Sequence, residues 1–211
     1  MLLNIHELFA RYKVQVTGVI HVGAHWGQEF EAYSFLGVEK LVFIEPCQAA
    51  FQILLNKFSN NPNIKLFNCA CGQISGTSAM FTTGPANQGM SNSLLQPKVH
   101  LIQHPRVIFN GTEMVNVKKL DDLEFDKTEY GLLNMDCQGF EDRVLIGAKK
   151  TLKSIDYVYT EVNRMEMYEG NAMIEDIDRI LSDFQRVETG WASDHHGWGE
   201  AMYIRKTILQ Q

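Results

Sequence analysis

No apolar stretch of this chain approaches the roughly 20 residues that a helix needs to span a bilayer, so no membrane-spanning segment is predicted. The opening residues, Met-Leu-Leu-Asn-Ile-His-Glu, lack the basic start and long apolar core of a secretory signal, and the expected compartment is the cytoplasm. Runs of Lys and Arg are also missing: Lys118-Lys119 and Lys149-Lys150 are isolated pairs in a chain of formal net charge −6. A general grip on nucleic acid needs the opposite charge balance, so no nucleic-acid partner is expected. Cysteine is sparse, and Cys69-Ala-Cys71 is not a zinc-knuckle spacing; with Cys47 and Cys137 these read as reduced, packed side chains. Neither a repeat nor a linker-like stretch breaks the sequence. The 211 residues, 45% hydrophobic and 21% charged, are therefore expected to form one globular domain, 1–211.

What the chain does have is alternation. Apolar spacing predicts a short helix over Asn4 to Tyr12, a strand from Gly18 to Val22, a helix ending near Gly37 and a strand from Lys40 to Ile44. A helix from Ala49 to Phe58 and a strand from Ile64 to Asn68 follow. From Gly72 to Asn116 the rhythm breaks into a stretch rich in Gly, Ser, Thr, Asn and Gln, with short strand-like pieces at Ser78–Thr82 and Arg106–Phe109. A loop-rich insertion of that length is usually functional, and it reads as an active-site cover. Alternation resumes with a strand Tyr130–Met135, a helix Phe140–Lys153, a strand Ile155–Val162, a helix Ala172–Phe184, and strands at Val187–Trp191 and Ala201–Arg205. Repeated strand-helix units imply a parallel sheet covered by helices on both faces, with ligands beyond the carboxyl ends of the strands. The polar residues that follow strands are then the ones to watch: His25, Glu45, Asn68, Asp136, Glu161 and Asn163.

The first unit is the most informative. Val19-Ile-His-Val-Gly-Ala-His-Trp-Gly-Gln-Glu29 runs from a strand through a glycine turn into a helix, and the next strand ends at Glu45-Pro46. Glycines let a ligand approach the backbone, and an acid about 20 residues on can accept from both hydroxyls of a ribose. Ala24 and His25 stand where Gly-x-Gly-x-x-Gly would place a second glycine. That departs from a pyrophosphate cradle and suits a nucleoside ligand without phosphates, such as S-adenosylmethionine.

Asp136, at the mouth of a central strand, can accept a hydroxyl proton, hold an amino group, bind a hard metal ion, or simply face the helix dipole. Glu161 and Asn163 end the next strand, near enough to share a cation such as magnesium or manganese with Asp136. His195-His196, ahead of Gly197-Trp198-Gly199-Glu200, offers a base that titrates near neutrality, and Trp198 offers a stacking surface.

Together these motifs resemble the FkbM family of S-adenosylmethionine-dependent methyltransferases. The resemblance covers residues 16–205: the Ile20–Gly27 glycine motif, Phe43-Ile-Glu-Pro46, Asn68-Cys-Ala-Cys-Gly72, Met90-Ser-Asn-Ser-Leu94, Leu120-Asp-Asp-Leu123, and Asn134-Met-Asp-Cys-Gln-Gly-Phe-Glu141 with Val144-Leu-x-Gly147-Ala148. Two positions depart from it. Gln138 stands where the family has Glu, and Asn134 where it has Lys. The resemblance implies an α/β, Rossmann-like class I methyltransferase fold. Its sheet has seven mostly parallel strands, with helices on both faces and a reversed final strand. It implies methylation of a hydroxyl on a sugar or related small molecule. With it the cofactor is expected on Gly23, Ala24, His25, Gly27, Glu29, Glu45, Pro46, Ala70, Cys71 and Asp136, and position along the chain makes Asp136, His196 and Glu161 the catalytic candidates. A divalent cation is the alternative to a metal-free base. Two other readings remain: an NAD-dependent oxidoreductase on a similar sheet, and a nucleoside-binding module without catalysis. The oligomeric state is open.

Overall fold

The computed structural model describes residues 2–210. In chain order its elements are α1 (Ile5–Tyr12), β1 (Gly18–Val22), α2 (Phe30–Phe35), β2 (Lys40–Ile44), α3 (Gln48–Phe58), β3 (Ile64–Phe67), β4 (Ala70–Cys71), β5 (Gly76–Thr83), α4 (Val99–Gln103), β6 (Phe109–Lys118), β7 (Leu132–Met135), α5 (Glu141–Ile146), β8 (Tyr157–Asn163), α6 (Ile174–Ile180), β9 (Phe184–Trp191), β10 (Trp198–Arg205) and α7 (Lys206–Leu209). The main sheet has seven strands in the order β3-β2-β1-β7-β8-β10-β9. All its pairs are parallel except those of β10, which runs antiparallel to β8 and β9. This is the expected sheet with its reversed last strand.

Every residue of β1 and β7 is buried, because helices cover both faces and the two-residue alternation of a strand has no solvent side to show. Ile20, Val22, Val42, Ile44, Leu133 and Met135 face one way, toward Val144, Leu145, Ile174 and Ile177 of α5 and α6. Val19, Leu41, Phe43 and Leu132 face the other, toward Leu8 and Phe9 of α1 and Leu54 and Phe58 of α3. Burying one such side chain stabilises the fold by about 1.5–3 kcal/mol. Asn4 caps α1 by accepting from the backbone N–H of His6 at 2.9 Å, so the helix starts one residue later than its apolar pattern suggests. All four cysteines are free thiols, and Cys69 and Cys71 are buried.

Two expectations fail. The loop-rich 72–116 segment holds more strand than its short strand-like pieces suggest: β5 and β6 pair antiparallel from Gly76↔Val117 to Thr83↔Phe109, and β4 adds a parallel third strand. Only Met80, Val115 and Val117 of these two long strands are buried. With one face in solvent, the strands carry too few apolar residues to look like strands. The helix expected over Phe140–Lys153 is α5 alone, followed by a separate 3-10 turn at Thr151–Lys153. Gly147 caps its end and packs directly on the insertion's backbone: a Cβ there would lie 2.1 Å from the carbonyl oxygen of Gly72.

Candidate active site

Two cavities open beyond the carboxyl ends of β1, β2 and β7. The first, about 240 Å³, is lined by Gly23, Ala24, His25, Glu29, Glu45, Pro46, Ala70, Cys71 and Asp136, together with Gly89, Met90, Asn92 and Leu94 of the insertion. Those nine are the expected cofactor residues apart from Gly27, whose missing side chain makes room for Leu54 and Phe58 of α3. Gly23 cannot carry a Cβ: its φ is +80°, and a Cβ would meet the Asp136 carbonyl oxygen at 1.8 Å.

Glu45 is 6% exposed. Its Oε2 accepts from the backbone N–H of His25 and its Oε1 from that of Cys47, both at 2.8 Å. The Asn68 side chain donates to the carbonyl of Glu45 at 2.9 Å and fixes the turn. Burial pushes the Glu45 carboxyl up to about 7. Two backbone donors leave lone pairs free on both oxygens, which suits an additional pair of ligand hydroxyls. His25 ties the insertion to this turn: one ring nitrogen lies 2.8 Å from the Gln88 carbonyl and the other 2.7 Å from the Gln28 amide.

The second cavity, about 280 Å³, shares Met90, Asp136 and Gln138 with the first. Ser91, His100, His104, Glu161, Tyr168 and Trp198 add to its wall. Asp136 and Glu161 reach each other here: desolvation raises both carboxyls, the charge of Asp136 raises Glu161 further, and hydrogen bonds with Gln138 and Glu161 pull Asp136 back down. The Gln138 side chain lies between them and donates to Asp136 Oδ1 at 2.7 Å and to Glu161 Oε2 at 2.8 Å. The space considered for a shared cation is therefore filled by an amide. Among the described residues no group of three or more His, Cys, Asp or Glu is placed to hold a metal ion.

His196 sits behind the second cavity rather than in its wall. Its ring stacks on His104 with centroids 5.2 Å apart, and its Nδ1 pairs with Ser193 Oγ at 2.6 Å. His104 is the ring that reaches the cavity. His100 is 5% exposed, has an Nδ1 without a partner among the described residues, and is held neutral by burial, which pushes it down to about 4. Sequence reasoning passed over both, although His100 and His104 lie four residues apart, a spacing that lets their rings meet with centroids 4.8 Å apart at the end of α4. It also read Gln138 only as a lost charge.

The methyltransferase FkbM domain model matches residues 21–187. The 2-O-methyltransferase NoeI of Sinorhizobium fredii is 37% identical over 100 residues, which are 46% of this chain and 41% of that protein. The match thus spans less than half the length of this curated relative. Among solved structures, the N-methyltransferase NodS of Bradyrhizobium japonicum superposes with a TM-score of 0.54 at 9% identity, over 95% of this chain and 93% of that one. Magnesium protoporphyrin IX methyltransferase of Synechocystis, with bound S-adenosylmethionine, gives 0.51 at 10% identity, over 95% and 76%. At such identities the likeness is one of fold.

Proposed function

Because the chain belongs to the FkbM family of methyltransferases, we propose that it methylates a hydroxyl of a sugar or related small molecule, with S-adenosylmethionine in the first cavity and the acceptor in the second. The observation that carries this reading is the shared wall: Asp136 lines both cavities. Family membership sets aside the oxidoreductase alternative. The 2-O-methyltransferase relative supports an oxygen acceptor.

Bound in the first cavity, the cofactor supplies an electrophilic methyl group, whose transfer leaves a neutral thioether and an acceptor oxygen with one proton to shed. The chain's own work is alignment and proton removal. Glu45 holds the ribose hydroxyls, and the turn from Gly23 to His25 presents backbone to the rest of the cofactor. Trp198 and His100 bracket the acceptor, while Asp136 and Glu161 face its hydroxyl from the floor. Alignment of two reactants gains roughly 7–11 kcal/mol over free encounter, and general-base help typically adds about 10²–10⁴-fold. His104, with His196 stacked behind it, closes the far side.

The test is transfer of label from methyl-tritiated S-adenosylmethionine to a panel of rhamnosides, fucosides and hexosides, with Asp136→Asn alongside. Labelled ether in the wild type and its loss in Asp136→Asn are expected. S-adenosylhomocysteine binding without transfer to any glycoside would turn the reading toward a nucleoside-binding module.

A further inference from the structure

The residue at which this chain departs most visibly from its family pattern is the best connected in the site. Gln138 adopts a left-handed backbone conformation, φ +51°, and lines both cavities. Its nitrogen gives one N–H to Asp136 Oδ1 at 2.7 Å and the other to Glu161 Oε2 at 2.8 Å. Its side-chain oxygen accepts from the Tyr168 hydroxyl at 2.7 Å, and its backbone carbonyl accepts from Ser93 Oγ at 2.7 Å. Tyr168 is 1% exposed and packed, so the amide is fixed in the one orientation that aims both hydrogens at acids.

We propose that Gln138 is a positioning residue: its locked amide holds Asp136 and Glu161 as a pair that carries one proton between them. Glu161 is 7% exposed whereas Asp136 keeps an exposed side toward the cavities, and a carboxyl buried against a charged neighbour, with so little water to offset a second charge, keeps its proton. The groups around them deepen that constraint. Glu29 faces Asp136, Glu141 faces Glu161, and the Tyr168 hydroxyl and Glu200 lie on the outer side. Only His21 is of the opposite class, and burial keeps it neutral. No Lys or Arg lines either cavity. A glutamate in place of Gln138 would add a third acceptor-only group and demand another proton. The amide instead donates twice at no charge.

A pair with one proton has a use in the reaction proposed above, and that use rests on the methyl-transfer reading. It carries one negative charge and one vacant position for the proton that the acceptor hydroxyl releases. The pair becomes a neutral diacid as the ether forms, then returns its extra proton to solvent. Gln138 touches the carboxyls that would take the proton, and its part is to fix where they point.

The experiment counts the proton in the ligand-free protein, so it succeeds or fails independently of any methyl transfer. Infrared spectra with carboxyl-13C aspartate and glutamate resolve the carbonyl stretch of buried protonated acids at neutral pH. Beside the bands of Glu141 and Glu45, which also hold protons near neutrality, Glu161→Gln should remove one band, and Asp136→Asn should lower the titration midpoint of that same band because the neighbouring charge is gone. In Gln138→Leu the band should persist but titrate about one pH unit higher, because the two donors that favour the charged form are gone. Gln138→Glu, close to the native side chain in size, should gain one further protonated carboxyl. A spectrum from which Glu161→Gln removes no band, or in which Asp136→Asn leaves the midpoint of that band unmoved, overturns the single proton of the pair. An unmoved titration midpoint in Gln138→Leu, or an unchanged band in Gln138→Glu, overturns the role of Gln138.

Discussion

Gly23 and Asp136 stand back to back: the α-carbon of the first faces the carbonyl oxygen of the second so closely that a Cβ would come within 1.8 Å of it. The turn after β1 and the turn after β7 are thus one joint, in which Gly23 of the first cavity and Asp136, which lines both cavities, are held against each other. Gly23→Ala combines this clash with φ +80°. It should cost roughly 3 kcal/mol or more. Urea denaturation measures it, and a cost under about 1 kcal/mol would mean that the joint is soft.

Glu45→Ala should weaken S-adenosylhomocysteine binding by roughly ten- to a hundredfold, the worth of about 1.5–3 kcal/mol in charge-assisted hydrogen bonds. Calorimetry on the folded variant reads this directly. Wild-type affinity in the variant would move the ribose elsewhere in the cavity.

Glu141 supplies a pH prediction. Its Oε1 accepts from the backbone N–H of Cys137 at 2.8 Å, and burial pushes its carboxyl from 4.5 up to about 8. The folded value lies above the unfolded one, so the native state holds the proton more tightly. The resulting stability is present in full below about 4.5 and is lost as pH rises through about 8. Glu141→Gln keeps an acceptor oxygen and has no proton to lose. Its urea midpoint should therefore fall less than that of the wild type between pH 5 and 9, and parallel curves would refute the assignment.

Asn92 secures the insertion over the first cavity, accepting from the Thr83 N–H at 2.8 Å and reaching the cavity wall. Asn92→Ala should lower kcat/KM several-fold with a stability loss of only about 1 kcal/mol. The opposite pattern, large destabilisation with unchanged turnover, would make the residue a plain structural tie.

His104→Ala should reduce transfer about tenfold, and His196→Ala distinctly less, since His196 meets the cavity only through the ring of His104. Equal losses would show that the two rings act as one unit.

How far the sequence was legible depends on how many faces each segment buries. Residues 18–22 and 40–44 were readable to the residue, because strands covered on both sides must be apolar throughout. Phe109–Lys118 was not, because Thr112 and Asn116 meet water on the open face of the small sheet. Gly27 looked like a ligand contact because spacing cannot tell a glycine that admits a ligand from one that admits Phe58. Gln138 illustrates the hardest case. Its identity was plain and its meaning lay in Asp136 and Glu161, which only folding brings to either side of its amide.

The reversed strand has a consequence for assembly during synthesis. Every residue of the first cavity has been synthesised once Phe140 is made, whereas Trp198, in the wall of the second, waits for β10. Strand β9, made before β10, has no other partner in the sheet, and β8 keeps an open edge until β10 slides between them. An open edge is a template for wrong pairing. A nascent chain therefore passes through a stage with the wall of its first cavity complete, that of the second unbuilt and the edge of β8 exposed, and the insertion of β10 ends the last two conditions at once.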